Sequence, residues 1–210
     1  GSESKKKNIA DLEGKVEVIV KDVREIDKEV ENRDWIFHCA STGDNYNIFE
    51  EPYKDVDVNC TGTIAVLEAC RQNNPDARII YPSTFFVNGN VDELPVGPES
   101  PCNPLGLYPA TKLAAEHFCK VYLANKETEK IESADVVIAR LTNVFGPREQ
   151  RDNNKKAAFN RMIGTAIGGG VINLYDNGII SRDYIYVDDA VSGLLTIADK
   201  GESGQVYYVG

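Results

Sequence analysis

Four continuous runs of β-branched and other apolar residues, KVEVIV (15–20), WIFHCA (35–40), ARIIYPS (77–83) and DVVIARL (135–141), are separated by stretches with helical periodicity. A strand that is apolar at every position, rather than at every second one, has both faces covered. Such runs alternating with helices predict βαβ units and a parallel sheet, hence an α/β fold. The segment 57–72 places Ala65, Val66, Ala69 and Cys70 on one helical stripe. A second helix, from Tyr108 to about Asn125, aligns Leu113, Ala114, Phe118, Val121 and Tyr122. After Arg140 the pattern loosens through NVFGPREQRDNNKK (143–156). A helix around 157–168, short strands in VINLY (171–175) and RDYIYV (182–187), a helix over 188–200 and a last strand in QVYYVG (205–210) then predict a smaller α+β lobe. Asp188 and Asp189 are expected to cap and charge the start of the 188–200 helix. No internal repeat interrupts this order.

With 210 residues and 42% hydrophobic content, the chain can bury a sizeable core as one globular unit. Its net charge of −10 argues against nucleic-acid or anionic-membrane partners, which are gripped by clustered Lys and Arg. The five cysteines (39, 60, 70, 102, 119) form no C-x-x-C pair, so reduced thiols are expected and no metal site. No apolar run approaches the roughly 18 residues of a membrane span, and GSESKKKN at the start is polar. A soluble, cytoplasmic protein is the expectation. Both ends are expected to be cut, because apolar strands lie so close to them.

In PLGLYPATKLAAEHF (104–118), Tyr108 and Lys112 stand four apart on the second helix and so share a face. A phenol titrates near 10, too high for a base at neutral pH, but a nearby ammonium stabilises the phenolate and lowers that value. The pair can then take a proton from an alcohol or sugar hydroxyl. Spacing alone does not distinguish it from an amphipathic helix with a solvated lysine, and Tyr122 with Lys126 repeats the spacing. Context favours the first pair. The strand before it ends in Ser83 and Thr84, at the C-terminal sheet edge where ligands bind in open α/β folds. A hydroxyl there can hydrogen-bond the oxygen that the tyrosine deprotonates.

STFFVNG (83–89), P-x-x-x-Y-P-A-T-K ending at Lys112, ARLTNVFGPRE (139–149) and SRDYIYVDD (181–189), in this order, resemble the extended short-chain dehydrogenase/reductase family. Within it the resemblance is to the NAD-dependent nucleotide-sugar epimerases and dehydratases, and it covers nearly the whole chain. It implies a Rossmann-like parallel sheet with flanking helices and a small substrate-side lobe. Residues 1–142 would form part of the dinucleotide-binding portion, and 143–210 part of an interleaved substrate-binding lobe. The family's base falls on Tyr108, and its lysine, Lys112, also holds the nicotinamide ribose. Counting back from Gly89, the triad hydroxyl falls on Thr84, with Ser83 as its neighbour on the substrate side. Where the family has a tyrosine before that glycine, this chain has Asn88.

The resemblance extends to further positions. VKDVRE makes Asp22 and Val23 cofactor contacts, with a strand-ending turn as the plain alternative. HCAS makes Cys39 and Ala40 contacts through which backbone approaches the dinucleotide, while His38 is expected to be a packed core histidine. VNCTGT puts Asn59 near the floor of the site and lets Gly62 pack closely, although both can be purely structural. Asn143 and Arg182 are implied on the nucleotide-sugar side, Arg182 at the diphosphate, for which a guanidinium is well shaped. Arg140 is expected to pin its strand.

The resemblance also implies NAD as cofactor, a nucleotide-diphosphate sugar as partner and a homodimer formed through the helix carrying Tyr108 and Lys112 and the helix before it. Neither G-x-x-G-x-x-G nor G-x-G-x-x-G, the loop that meets the pyrophosphate, occurs in the sequence. The first strand, first helix and second strand of the family sheet are therefore expected to be missing. The family's dehydratases and decarboxylases carry an acid two residues after the triad threonine; here Thr84 is followed by Phe85 and Phe86. That favours epimerisation through a keto intermediate, with 4,6-dehydration or 4-keto reduction as alternatives. A reading of another class is a non-catalytic fragment or scaffold that associates through exposed sheet edges.

Overall fold

A computed structural model describes residues 7–42, 51–128, 134–149, 158–179 and 181–210. Its main sheet has four parallel strands in the order β1 (Trp35–Phe37), β2 (Arg78–Thr84), β3 (Asp135–Leu141), β6 (Val206–Val209). A second, two-stranded parallel sheet pairs β4 (Asn143–Phe145) with β5 (Tyr184–Tyr186). Five α-helices are described: α1 (Pro52–Asp55), α2 (Gly62–Asn73), α3 (Leu107–Thr128), α4 (Ala158–Ile167) and α5 (Val187–Lys200). A π-helical turn over Val56–Thr61 joins α1 to α2. No described helix is long and apolar enough to cross a membrane.

The continuous apolar strands are explained by two cores, one on each face. Ile79, Tyr81, Val136 and Ile138 pack with Val66, Leu67 and Cys70 of α2 and Ala115 and Cys119 of α3. The alternate residues Ile80, Val137 and Ala139 pack with Ile197 and Ala198 of α5. Period-two alternation thus survives, but each face has its own helix layer.

Pro82 fits inside β2 for a specific reason. Ile80 O accepts from His38 N, so Ile80 and Pro82 both face the β1 side, and β1 pairs only as far as Phe37 opposite Ile80. The missing proline N–H therefore points past the end of the neighbour, where the ladder does not need it. In α3, Pro109 occupies the first turn, whose N–H groups have no intrahelical acceptor.

Several expected elements differ. KVEVIV (15–20) is not a strand: Val16, Val18, Ile19 and Val20 are exposed, and no described strand lies beside them. An apolar run becomes a strand only where a ladder partner exists. VINLY likewise forms no strand up to Leu174, and a 3₁₀ turn spans Tyr175–Gly178. The cap of α5 is Tyr186 without a side-chain bond, and Asp188 and Asp189 both lie in the first turn, where they oppose the helix dipole. Residues 143–210 contribute to both sheets, since β6 joins the main sheet and α5 covers it. The smaller sheet is held by an aromatic cluster in which Phe145 meets Phe159, Tyr184 and Tyr186, with Phe159 stacked on Tyr184 at 4.7 Å.

Candidate active site

The C-terminal ends of β1 and β2 and the first two turns of α3 enclose one polar region. Thr84 closes β2 and is buried, and its Oγ1 accepts from Phe86 N at 3.3 Å. That bond leaves the threonine proton free, and Tyr108 lies near enough to Thr84 and Ser41 for both to favour its ionised form. Lys112, one turn further along α3, is 2% exposed and lays its ammonium over the Tyr81 ring, 4.1 Å from the centroid. It makes no hydrogen bond among the described residues. Thr84, Tyr108 and Lys112 are therefore brought together, with Tyr81 of β2 as the floor beneath the lysine. The other Tyr/Lys pair lies elsewhere: Tyr122 donates to Glu68 on α2, and the side chain of Lys126 lies outside the described residues.

The expected electrostatics of the pair need correction. Burial raises the Tyr108 phenol above its ordinary value and the Asp55 charge adds to this, while contacts with Ser41 and Thr84 act in the opposite direction. Lys112 is not among the main influences, because its ammonium is drawn under the site onto the Tyr81 ring. Burial lowers Lys112 itself to about 8, despite nearby Cys119, Cys39 and Glu116. In the protein alone, then, desolvation dominates both groups.

Asn59 organises the side of the site that faces β1. Its Oδ1 accepts from Ser41 Oγ and Thr42 N, both at 3.0 Å. Its Nδ2 donates to Thr42 Oγ1 at 2.9 Å and to Thr111 Oγ1 at 3.0 Å. Thr42 in turn donates to Asp55. All four amide valences are used, so this buried side chain is satisfied and ties the β1 loop to α3. It projects from the π turn, a distortion common at functional sites. His38 lies below, bonded through Nε2 to Thr63 Oγ1 at 2.9 Å and pushed down to about 4 by burial and by Lys112, which keeps it neutral.

The remaining candidates are placed as follows. Cys39 and Ala40 follow β1 at the rim of this region. Asp22 caps a 3₁₀ turn at Val23–Glu25 and is engaged three times by Arg24, through its N–H and guanidinium, at 2.8–2.9 Å. Val23 packs onto the core beside Gly62, where a Cβ would meet Val23 Cγ1 at 2.9 Å. Asn143 donates from Nδ2 to Asp183 O at 2.8 Å, which ties β4 to the approach of β5. Arg182 is exposed, contacts only Ser181 O at 3.3 Å and forms no ion pair among the described residues, so its guanidinium is free for an anion. A cleft of about 440 Å³ opens nearby between Phe145, Arg148, Asn160, Ile163 and Tyr186. No described group of three or more His, Cys, Asp or Glu residues has the geometry of a metal site.

Two features escaped sequence reasoning. Ser83 does not face the Tyr108 hydroxyl; its Oγ donates to Glu116 Oε1 at 2.5 Å. Glu116 is one turn beyond Lys112 on the same face of α3, a spacing that could have flagged it. Asn88 is buried, takes a bond from Tyr208 OH at 2.9 Å and donates to Pro101 O at 3.1 Å. The position thus anchors the loop by hydrogen bonds.

These features can be set beside known proteins. A family model described as the NAD dependent epimerase/dehydratase family matches residues 1–210. The dTDP-D-glucose 4,6-dehydratase of Dictyostelium discoideum is 29% identical over 193 residues, 87% of this chain and 42% of that protein. A putative UDP-glucose 4-epimerase of Methanocaldococcus jannaschii is 28% identical over 200 residues, 93% of this chain and 63% of that one. Among solved structures, the UDP-glucuronic acid 4-epimerase from Bacillus cereus, in complex with UDP-glucuronic acid and NAD, superposes with a TM-score of 0.83 at 27% identity. That match covers 99% of this chain and 64% of the epimerase. On the strength of a family match over its full length, and of a parallel sheet and helix that bring Thr84, Tyr108 and Lys112 together at one sheet edge, this chain belongs to the NAD-dependent epimerase/dehydratase family.

Proposed function

We propose that the chain carries the proton-transfer centre of an NAD-dependent nucleotide-sugar epimerase, with Tyr108 as base, Thr84 as the hydroxyl that orients the substrate oxygen, and Lys112 as the cationic partner. One observation carries this reading: Thr84 and Tyr108 lie close together at the C-terminal end of β2, while the position two residues on is Phe86, stacked on Phe85 with ring centroids 4.3 Å apart. A hydroxyl-deprotonating pair is present, and no carboxylate stands where elimination would need a donor.

The cofactor fits the residues present. A buried ammonium with no acceptor among the described residues, beside the open ends of β1 and β2, is suited to the ribose hydroxyls of a nicotinamide nucleotide. Asp22, Val23, Cys39, Ala40 and Asn59 would line the rest, and the sequence supplies no glycine-rich pyrophosphate loop. Bound NAD supplies the hydride acceptor and donor. Tyr108 removes the proton of the hydroxyl being oxidised and returns it after hydride comes back to the opposite face, while Thr84 holds that oxygen. Arg182 and Asn143 face the diphosphate side. With the ribose in place, the Lys112 charge is expected to offset the desolvation that holds the Tyr108 phenol high. Exposed Val56 and Ile64, in the π turn and α2, and Val121 of α3 support a homodimer through these elements.

The test is to titrate NAD into the chain by calorimetry, then to assay UDP-, GDP-, CDP- and dTDP-sugars in the longest form of the protein. A C4 epimer formed without net NADH release, and lost in Tyr108→Phe, is the expected result. A 4-keto-6-deoxy product, or full activity in Tyr108→Phe, overturns it.

A second reading follows from the open outer edge of β1, which has no described neighbour, and from Trp35 exposed along it. By itself, the 210-residue chain would then be a scaffold that associates through that edge.

A further inference from the structure

Tyr108, Lys112 and Glu116 repeat at intervals of four along one face of α3. The first two reach the site, whereas the third turns into the core, where it is 1% exposed. Glu116 Oε1 receives Ser83 Oγ at 2.5 Å and Arg140 Nε at 3.0 Å, and Oε2 receives Arg140 Nη2 at 2.7 Å. Arg140 in turn donates from Nη1 to Tyr208 OH at 2.7 Å, and Tyr208 OH donates to Asn88 Oδ1 at 2.9 Å. The chain of bonds crosses α3, β2, β3, β6 and the loop after β2.

A buried ion pair is a poor source of net stability, because desolvation offsets its attraction, but it has strict geometry. Here that geometry fixes how far along β2 the α3 face sits. Ser83 is adjacent to Thr84, and Glu116 is one turn from Lys112, so one carboxylate ties the backbone under both ends of the candidate triad. We propose that Glu116, gripped by Arg140 and Ser83, is a positioning residue that sets the placement of Tyr108 and Lys112 against Thr84, and that Ser83 belongs to this clamp and not to the substrate pocket. This rests on the triad reading above but concerns the placement of groups in the protein without cofactor.

Placement can be read without turnover. The groups facing the Lys112 ammonium are Glu116 and Cys119 of α3, Tyr81 of β2, and His38 and Cys39 after β1. In the 210-residue chain, we would follow the Lys112 ammonium by ¹⁵N NMR and the Tyr108 phenol by ¹³C NMR through pH. In Glu116→Gln, with the fold verified by circular dichroism, Lys112 should titrate lower than in the wild type and the Tyr108 signal should move. Glu116→Asp should restore much of both. Because losing the Glu116 charge lowers Lys112 by itself, the Tyr108 signal decides: a folded Glu116→Gln protein in which it is unchanged overturns the proposal. If Glu116→Gln does not fold, Ser83→Ala decides, since it leaves the ion pair intact: a displaced Tyr108 signal supports the clamp, and an unchanged one overturns it. None of these readings depends on NAD binding, so failure of the clamp and failure of the proposed activity remain distinct.

Discussion

At the scale of single residues, Lys112 is the least comfortable group in the structure. An ammonium without a hydrogen-bond acceptor among the described residues, stacked on Tyr81 and 2% exposed, opposes folding of the protein alone. Its pKa is near 8 in the folded state and 10.5 when free. The unfolded chain therefore binds the proton more tightly between those values, so this group's contribution to stability is present above pH 10.5 and is lost as the pH falls through 8. Lys112→Met should accordingly raise stability at pH 7 by roughly 3 kcal/mol, the size of such a shift at 1.36 kcal/mol per unit. Urea denaturation should show the advantage of the variant shrinking between pH 8 and 10.5; a variant no more stable than the wild type would refute it. The same replacement should remove NAD binding. Tyr108, Lys112 and Thr84 were candidates in the sequence because helical spacing and a strand-end hydroxyl allowed them, and the family resemblance then singled them out. Glu116 was missed although it continues the four-residue spacing, because its partner Arg140 lies 24 residues away and nothing in the sequence joins the two.

Among the elements, the loop after β2 is fixed by backbone geometry as well as by side chains. Gly89 has φ +64°, and a Cβ there would lie 1.9 Å from Asn103 O. Gly89→Ala combines a left-handed conformation with an overlap against backbone, which cannot swing aside. A loss of more than about 2 kcal/mol is expected, read as a lower thermal midpoint, and the loop carrying Asn88 should be displaced with it. At the other end of the sheet, Arg78 pairs with Asp135 at 2.6 Å and donates to the carbonyls of Ala198 and Gly201 at 3.0 Å. Arg78→Met should fray the last turn of α5, seen as faster amide exchange over Ile197–Lys200, while the Tyr108 signal stays in place. Strand and helix identities in the core were readable because 77–83 and 135–141 find partners on both sides or both faces. The 15–20 run misled because periodicity reports what a segment is able to bury and not whether a neighbour is there to bury it.

For the whole molecule, the consequence is an asymmetric surface. One margin of the sheet is β1, with three paired residues, exposed Trp35 and, earlier in the chain, the exposed Val16, Val18, Ile19 and Val20. An open strand edge and exposed apolar residues each favour self-association. Sedimentation velocity on the 210-residue chain should show reversible association with rising concentration, and Val18→Lys with Val20→Lys should suppress it. A monomer at all concentrations would remove the scaffold reading and the homodimer for this chain. The α/β class and the prospect of exposed sheet edges followed from the sequence, the latter from the missing glycine-rich segment, whereas the order of the strands did not, because it is a property of the assembled sheet.

The wide turn at Val56–Thr61 amounts to one additional residue wound into an otherwise regular helix. Deleting Val58 would let the backbone relax to ordinary α geometry at little cost in helical bonding, but Asp55 and Asn59 would then stand three apart in an α-helix, about 60° out of line, instead of four apart along a wide turn. The carboxylate of Asp55 would leave Thr42, and the carboxamide of Asn59 would no longer span from the β1 loop to Thr111. A deletion that most local measures of helicity would score as an improvement should therefore dismantle one wall of the cleft.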